Sequence, residues 1–503
     1  MDVEAELIPS LQVKLQESKT TAEWFRNRSR CNFSNRLPPE LLSRIFHLAL
    51  DNHSCAKNYY CGTETRADSV YPIVLSQVCS YWRKVAFSTP VLWAHIDLST
   101  SATLNQLRLN RLAKLHLDLA GGIPLNLHVF DSRKYPMSPF SPCDPLHSLI
   151  VQLSGRAYSL NLDAGQDYDC TIHGGILSAL FEGAVAGRLA TITMSHEDIY
   201  HSVIKGKDHI SADPEDVRVN LLTEQLEEIL SGVVVLHLNR IYPQWNSRAF
   251  HGLAELRLRD MYSSVHIKEA EFVGILRLSP RLRILELGVE IDDPLPTNAR
   301  VTGVPLESLE ILDLSGTRCC WHAIILRWLN PGSNPLQFKL YRGTCENLET
   351  KISLGPFLSR SNITRVFETG LNLLHILDLL ELCPNLQEMV VSWVNACATN
   401  PLQIEDTGRI SLTRLECLYV TGSSVHVEDI IALMNVPTFT VKTAVFYDCI
   451  LLHGDIRIPI DQEETQLEEL RRSNPDVTCI WWTNVSSPVE SWNASNRRDE
   501  GHV

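Results

Sequence analysis

The chain has 503 residues, 44 % of them hydrophobic and 21 % charged, with 45 basic against 59 acidic residues for a formal charge of −14. This is ordinary globular composition with length for about three domains, and it excludes a mostly disordered, collagen-like or coiled-coil chain. The acidic balance offers no general attraction to phosphate backbones or anionic lipid, and no apolar run reaches the roughly 20 residues that span a bilayer, so neither a nucleic acid nor a membrane is expected as partner.

Residues 1–35 lack the basic-then-apolar layout of a secretion signal, which predicts a reducing compartment, cytoplasm or nucleus. They read as a short helix and linker, with Leu7, Leu11 and Leu15 on one helical face. The 14 cysteines are scattered without a CxxC pair and read as small buried hydrophobes.

Residues 36–98 form the next segment. Pro38 and Pro39 suit a first helical turn, and Glu40 stands where the helix dipole favours an anion. Leu41, Leu42, Ile45, Phe46, Ala49 and Leu50 follow at helical spacing. A polar insertion occupies 51–70, and the helical pattern resumes with Ile73, Val74, Val78, Trp82, Val85 and Ala86 up to Pro90. So short a segment cannot bury this much apolar surface by itself, so its helices must pack on the rest of the chain or on a partner.

Residues 99–230 read as an irregular, repeat-like region with strand-like pieces PLNLHV, YSLNLD and TITMS, interrupted by a proline-rich loop at 131–147. From 231 to 483 an L-x-x-L-x-L unit recurs. Its central apolar positions are Leu236, Leu256, Leu285, Leu312, Phe338, Val366, Met389, Leu418, Ala444 and Ile480, about 27 residues apart. Helical stretches such as WHAIILRWL and VEDIIALM lie between them. Alternation puts the leucines on one side of each short strand, and a helix returns the chain to the next parallel strand. That period falls in the leucine-rich-repeat range, and such units bury their faces only by stacking into a curved solenoid. The asparagine usual three positions after the last leucine is replaced by Met261, Thr317 and Ser423, so the repeats are degenerate. Residues 484–503 read as a flexible tail.

Nothing in the chain points to catalysis. His196 and His201 resemble a zinc-protease pair but stand five apart, which on a helix turns them away from each other; a solvated loop is the simpler reading. His53, Cys55 and Cys61 are too few and wrongly spaced for zinc. Gly206-Lys207 lacks the rest of a P-loop. Trp321, Trp481 and Trp482 lie in periodic apolar segments and read as core. The expectation is no catalytic residue, no metal and no cofactor.

The order LPPELL at 37–42, Ile45-Phe46, Val78-Cys79, Trp82-Arg83, Ala86 and Leu92-Trp93 resembles the F-box. With the repeats, it is similar to F-box/leucine-rich-repeat substrate receptors; the insertion resembles a longer fungal variant. The resemblance implies an α/β chain in which an all-α three-helix F-box precedes an irregular leucine-rich-repeat solenoid with a curved parallel sheet. It implies docking onto the SKP-type adaptor, and through it the cullin, of an SCF-type ubiquitin ligase by Leu37, Pro38, Leu41, Leu42, Ile45, Phe46, Val78, Cys79, Trp82 and Trp93, with Trp82 equally suited to packing within the module. The repeats would hold an unknown protein substrate. Outward strand positions available for that are Glu255, Arg257, Arg259, Glu286, Asp313, Lys339, Arg365, Glu388, Tyr419 and Tyr447. They mix both signs with aromatics and so single out no ligand of one charge. The alternative is an interaction scaffold that directs no ubiquitin transfer.

Overall fold

A computed structural model of the chain describes residues 37–51, 72–99, 104–131, 145–165, 168–197, 200–209, 215–260, 265–296, 299–340, 348–369, 379–380, 382–392, 413–434, 439–453, 456–457, 471–472, 477–482 and 488–489, with Lys19 and Glu468. The expected N-terminal helix, the polar insertion after Asp51 and most of the proline-rich loop lie outside these residues. The protein is mixed α/β and dominated by parallel strands. No helix among the described residues is long and apolar enough to cross a membrane.

The chain divides into two compact units, residues 1–167 with 179–184, and residues 168–178 with 185–503. These limits differ from the predicted divisions at 98 and 230. Residues 95–99 form a strand that pairs with 125–130, so the helical segment shares a unit with the strands that follow it.

In the first unit, α1 (Pro39–Asp51), α2 (Ile73–Val78), α3 (Ser80–Phe87) and a 3-10 turn (Pro90–Trp93) precede β1 (His95–Ser99), α4 (Leu104–Leu119), β2 (Leu125–Phe130), α5 (Pro145–Ser154) and β3 (Ala157–Asp163). Pro39 opens α1, where no N–H is needed, with Glu40 in the first turn. Leu42 and Phe46, four apart, bury the same side of α1, and the Phe46 ring lies 4.9 Å from Trp82 on α3. The Tyr81 hydroxyl donates to the Leu37 carbonyl at 2.6 Å, tying the entry of α1 to α3. Trp93 is fully buried and its indole N–H donates to the Ala86 carbonyl at 2.8 Å. The three strands run parallel in chain order. Ile96, Leu98, Leu127, Val129, Leu160 and Leu162 alternate into the core.

In the second unit, eleven parallel strands follow in chain order: β4 (Thr191–Ser195), β5 (Val235–Asn239), β6 (Glu255–Arg259), β7 (Ile284–Leu287), β8 (Ile311–Asp313), β9 (Leu336–Leu340), β10 (Ile363–Thr369), β11 (Glu388–Ser392), β12 (Thr413–Thr421), β13 (Phe439–Tyr447) and β14 (Thr478–Trp482). Helices lie between several of them, among them Glu269–Leu278, Cys319–Trp328, Leu348–Arg360 and Val427–Met434. The register places the predicted central residues in one row. Leu236, Leu256, Leu285, Leu312, Phe338, Val366, Met389, Leu418 and Ala444 are successive Cα partners, each at most 2 % exposed. The tenth is corrected. Ala444 pairs with Cys479, buried, while Ile480 pairs with Val445 and is 37 % exposed. A strand has period two, so a shift of one residue exchanges its faces.

Two of the residues standing where asparagine was expected are buried and bonded to backbone. Thr317 donates to the Leu287 carbonyl of the preceding strand at 2.7 Å, and Ser423 to Thr421 at 2.8 Å. A hydroxyl satisfies one carbonyl where the longer amide would reach more.

The register of β14 is open to test. Cys479→Asp is expected to destabilise the protein by more than about 2 kcal/mol, and Ile480→Asp, at a partly exposed strand position, by about 1 kcal/mol. Urea midpoints measure both; the opposite order would show that Ile480 is the inward residue.

Candidate functional site

Two surfaces and one side-chain cluster stand out. The first surface is on α1. Leu41, Ile45 and Leu48 are 52 %, 46 % and 58 % exposed. Their spacing of four and three residues puts them on one helical face, adjacent to the buried Leu42–Phe46 face. Val78, at the end of α2, is also exposed.

The residues expected to contact an adaptor therefore separate. Pro38, Leu41, Ile45 and Val78 are exposed. Leu37, Cys79 and Trp82 are half-buried. Cys79 caps α3, its Sγ accepting from the Trp82 backbone N–H at 3.4 Å. Leu42, Phe46 and Trp93 are sealed within the unit, which corrects the expectation that they face a partner. They are the apolar residues on the side of the module that its own helices cover. Leu48 belongs to the exposed stripe and was not among the expected contacts, although it stands three residues after Ile45.

The second surface is the face of the second unit's sheet opposite the leucine row. All ten predicted outward residues lie on it by register, and eight of them pair with each other. Glu255 lies 3.3 Å from Arg257 and 3.4 Å from His237. Arg259 forks onto Glu286, with Nη2 at 2.8 Å from Oε2. Lys339 reaches Asp313 at 3.1 Å and Arg365 reaches Glu388 at 2.8 Å. Four basic and four acidic side chains thus balance in cross-strand pairs. The hydrogen bond from His237, helped by the Arg257 charge, holds the Glu255 carboxyl below the usual carboxylate range against the opposing effect of burial.

From β10 onward one row of this face turns apolar, beside the Arg365–Glu388 pair. Phe367, Val390, Tyr419, Val445 and Ile480 follow Lys339 as successive Cα partners. The Lys339 ammonium lies 5.1 Å from the Phe367 ring centre at the junction. Phe367 and Val390 are buried by Val489, with Tyr419 packed alongside. The chain beyond 483, expected to be free, is therefore held to the sheet at this point. Phe367 and Val390 were missed because each was read singly; the position after each central residue is the outward one, and that arithmetic identifies them.

Among the described residues, one set of imidazole and carboxylate groups converges as a metal site would: His95, Asp97 and His128, with ligating atoms all within 4.8 Å of one another. His53, Cys55 and Cys61 lie outside the described residues. His196 is corrected from a solvated loop. It is buried, its Nε2 is 3.1 Å from the Arg240 carbonyl, and its ring stacks on Tyr168 at 4.2 Å. His322 is buried and Trp321 half-buried; the side chains of Trp481 and Trp482 lie outside the described residues.

No family model matches the chain, and no curated protein matches it.

Burial governs the cysteines on and behind this sheet. It pushes the Cys383 thiol up to about 12 and the Cys417 thiol, beside Tyr419, up to about 11, whereas Cys320 is exposed. The thiolate is the reactive form. Iodoacetamide at pH 8 is expected to label Cys320 in the native protein and to label Cys383 and Cys417 only after unfolding, as read by peptide mass mapping. Native labelling of Cys417 would show that this part of the sheet is open.

Proposed function

We propose that the chain is a non-catalytic substrate-receptor subunit of an SCF-type ubiquitin ligase, with an F-box at its N-terminal end and degenerate leucine-rich repeats behind it. The carrying observation is the stripe Leu41–Ile45–Leu48 on α1. Burying one large aliphatic side chain is worth about 1.5–3 kcal/mol, so three of them on one face form a surface that gains by being covered. An α-helix with one apolar stripe buried and another exposed suits docking into a partner's groove. In this reading the exposed positions Pro38, Leu41, Ile45 and Val78 meet the adaptor, Leu48 joins them, and Leu42, Phe46 and Trp93 hold the module in shape. The regular row of the second unit supports the repeat reading, because ten strands with central residues in register are what stacked strand–helix units produce. The opposite face, which combines charge-balanced pairs with an apolar row, suits a protein client better than a ligand of a single charge. The receptor acts by proximity, raising the local concentration of client beside the enzyme that carries ubiquitin.

Capture of the SKP-type adaptor by the purified full chain tests this. Leu41→Asp with Ile45→Asp is expected to weaken capture more than 100-fold while lowering the thermal midpoint far less than a core substitution, since both side chains are about half exposed. Phe46→Ala, in the core, is expected to cost about 3–5 kcal/mol of stability. Undiminished capture by the double variant would refute the docking face. Client capture with the proteasome inhibited, followed by cullin-dependent turnover of what is captured, distinguishes a receptor from a scaffold that directs no ubiquitin transfer. Arg259→Glu is expected to reduce client capture and spare the adaptor.

A further inference from the structure

The pair His95-x-Asp97 lies on the first strand of the first unit, where period two puts both side chains on one face. Asp97 is the Cα partner of His128 on β2, so a third group comes to the same face from a position 31 residues away. The two imidazoles converge on one carboxylate oxygen. His95 Nε2 is 3.1 Å and His128 Nδ1 is 2.9 Å from Asp97 Oδ1. Two histidines held only by hydrogen bonds to a carboxylate have two oxygens to share; here both rings turn to the same one. Zinc binds imidazole nitrogen and carboxylate oxygen at about 2.0–2.2 Å, which sets tetrahedral ligand atoms about 3.3 Å apart. The two separations from Asp97 Oδ1 are within a few tenths of an ångström of that, and all three ligating atoms lie within 4.8 Å of one another.

The burial is graded. The side chains of His128 and Asp97 are 3 % and 12 % exposed, and that of His95 is 42 % exposed. Two ligands are thus fixed in the sheet, while the third lies at the surface, where an ion enters and a water completes the coordination.

We propose that His95 Nε2, Asp97 Oδ1 and His128 Nδ1 bind a divalent transition ion of the zinc class. The ion clasps β1 to β2 immediately after the helical segment. Two imidazoles and one carboxylate suit Zn2+ better than Mg2+ or Ca2+, which favour oxygen throughout. Binding to the folded chain alone raises its stability by mass action.

The test uses the full chain, stripped with a chelator and with its accessible thiols alkylated so that cysteines do not compete. Titration with Zn2+ against a chromophoric chelator is expected to give one tight site per chain and a higher thermal midpoint. His95→Ala is expected to weaken that site at least tenfold and to abolish the midpoint shift. Because His95 also bonds Asp97, the metal-free midpoint of each variant serves as its own baseline for the shift. His95→Gln, which retains most of the bulk, is expected to show the same loss. Co2+ is expected to give visible d–d bands without thiolate charge-transfer absorption, both lost in the variants. A parent chain that takes up no Zn2+ overturns the proposal, as does equal uptake by His95→Ala or His95→Gln. In either case the three side chains form a hydrogen-bonded cluster only.

Discussion

A parallel strand with leucine at every second position buries that side only if it has a strand on each flank and a layer beneath. This constraint organises the second unit. The row from Leu236 to Cys479 runs across ten strands at three to nine residues each, too short to be stable as separate elements. Each strand takes its register from its neighbour, and the helices that return the chain supply the layer below. The opposite face follows from the same alternation: once the leucines point in, the residues between them must point out.

What those residues do next depends on the spacing between strands. Strands lie just under 5 Å apart, within reach of long side chains on adjacent strands. Glu255, Arg257, Arg259, Glu286, Asp313, Lys339, Arg365 and Glu388 therefore meet each other first, before any ligand. Such a face is held in place in advance and carries little net charge. The apolar residues Phe367 and Val390 on this face are covered in part by Val489 of the same chain.

The helical segment follows a different logic. α1 carries apolar residues on two adjacent stripes because Leu41-Leu42 and Ile45-Phe46 are doublets repeated every four residues. One stripe is closed by Trp82 and its neighbours. The other, Leu41, Ile45 and Leu48, is exposed, and the Tyr81–Leu37 hydrogen bond ties the start of α1 to α3. The doublet pattern is what gives α1 both a buried and an exposed apolar stripe.

The strand positions, the leucine row up to Ala444 and the outward set were legible in the sequence, because period two is a local property that survives without knowledge of neighbours. The helices around Leu41 and Trp82 were legible for the same reason, with period 3.6. Which of two adjacent apolar stripes is buried was not, since Leu42 and Leu41 are chemically identical and only the position of α3 separates them. Nor was the inward residue of β14, where Cys479 and Ile480 are both apolar and pairing with Ala444 decides between them. The His95–Asp97–His128 cluster and the Val489 contact depend on residues 31 and about 100 positions apart being brought together by the sheet. The sequence by itself determined which residues alternate; only the tertiary structure decided which of them meet, because contact across strands is set by register and not by distance along the chain.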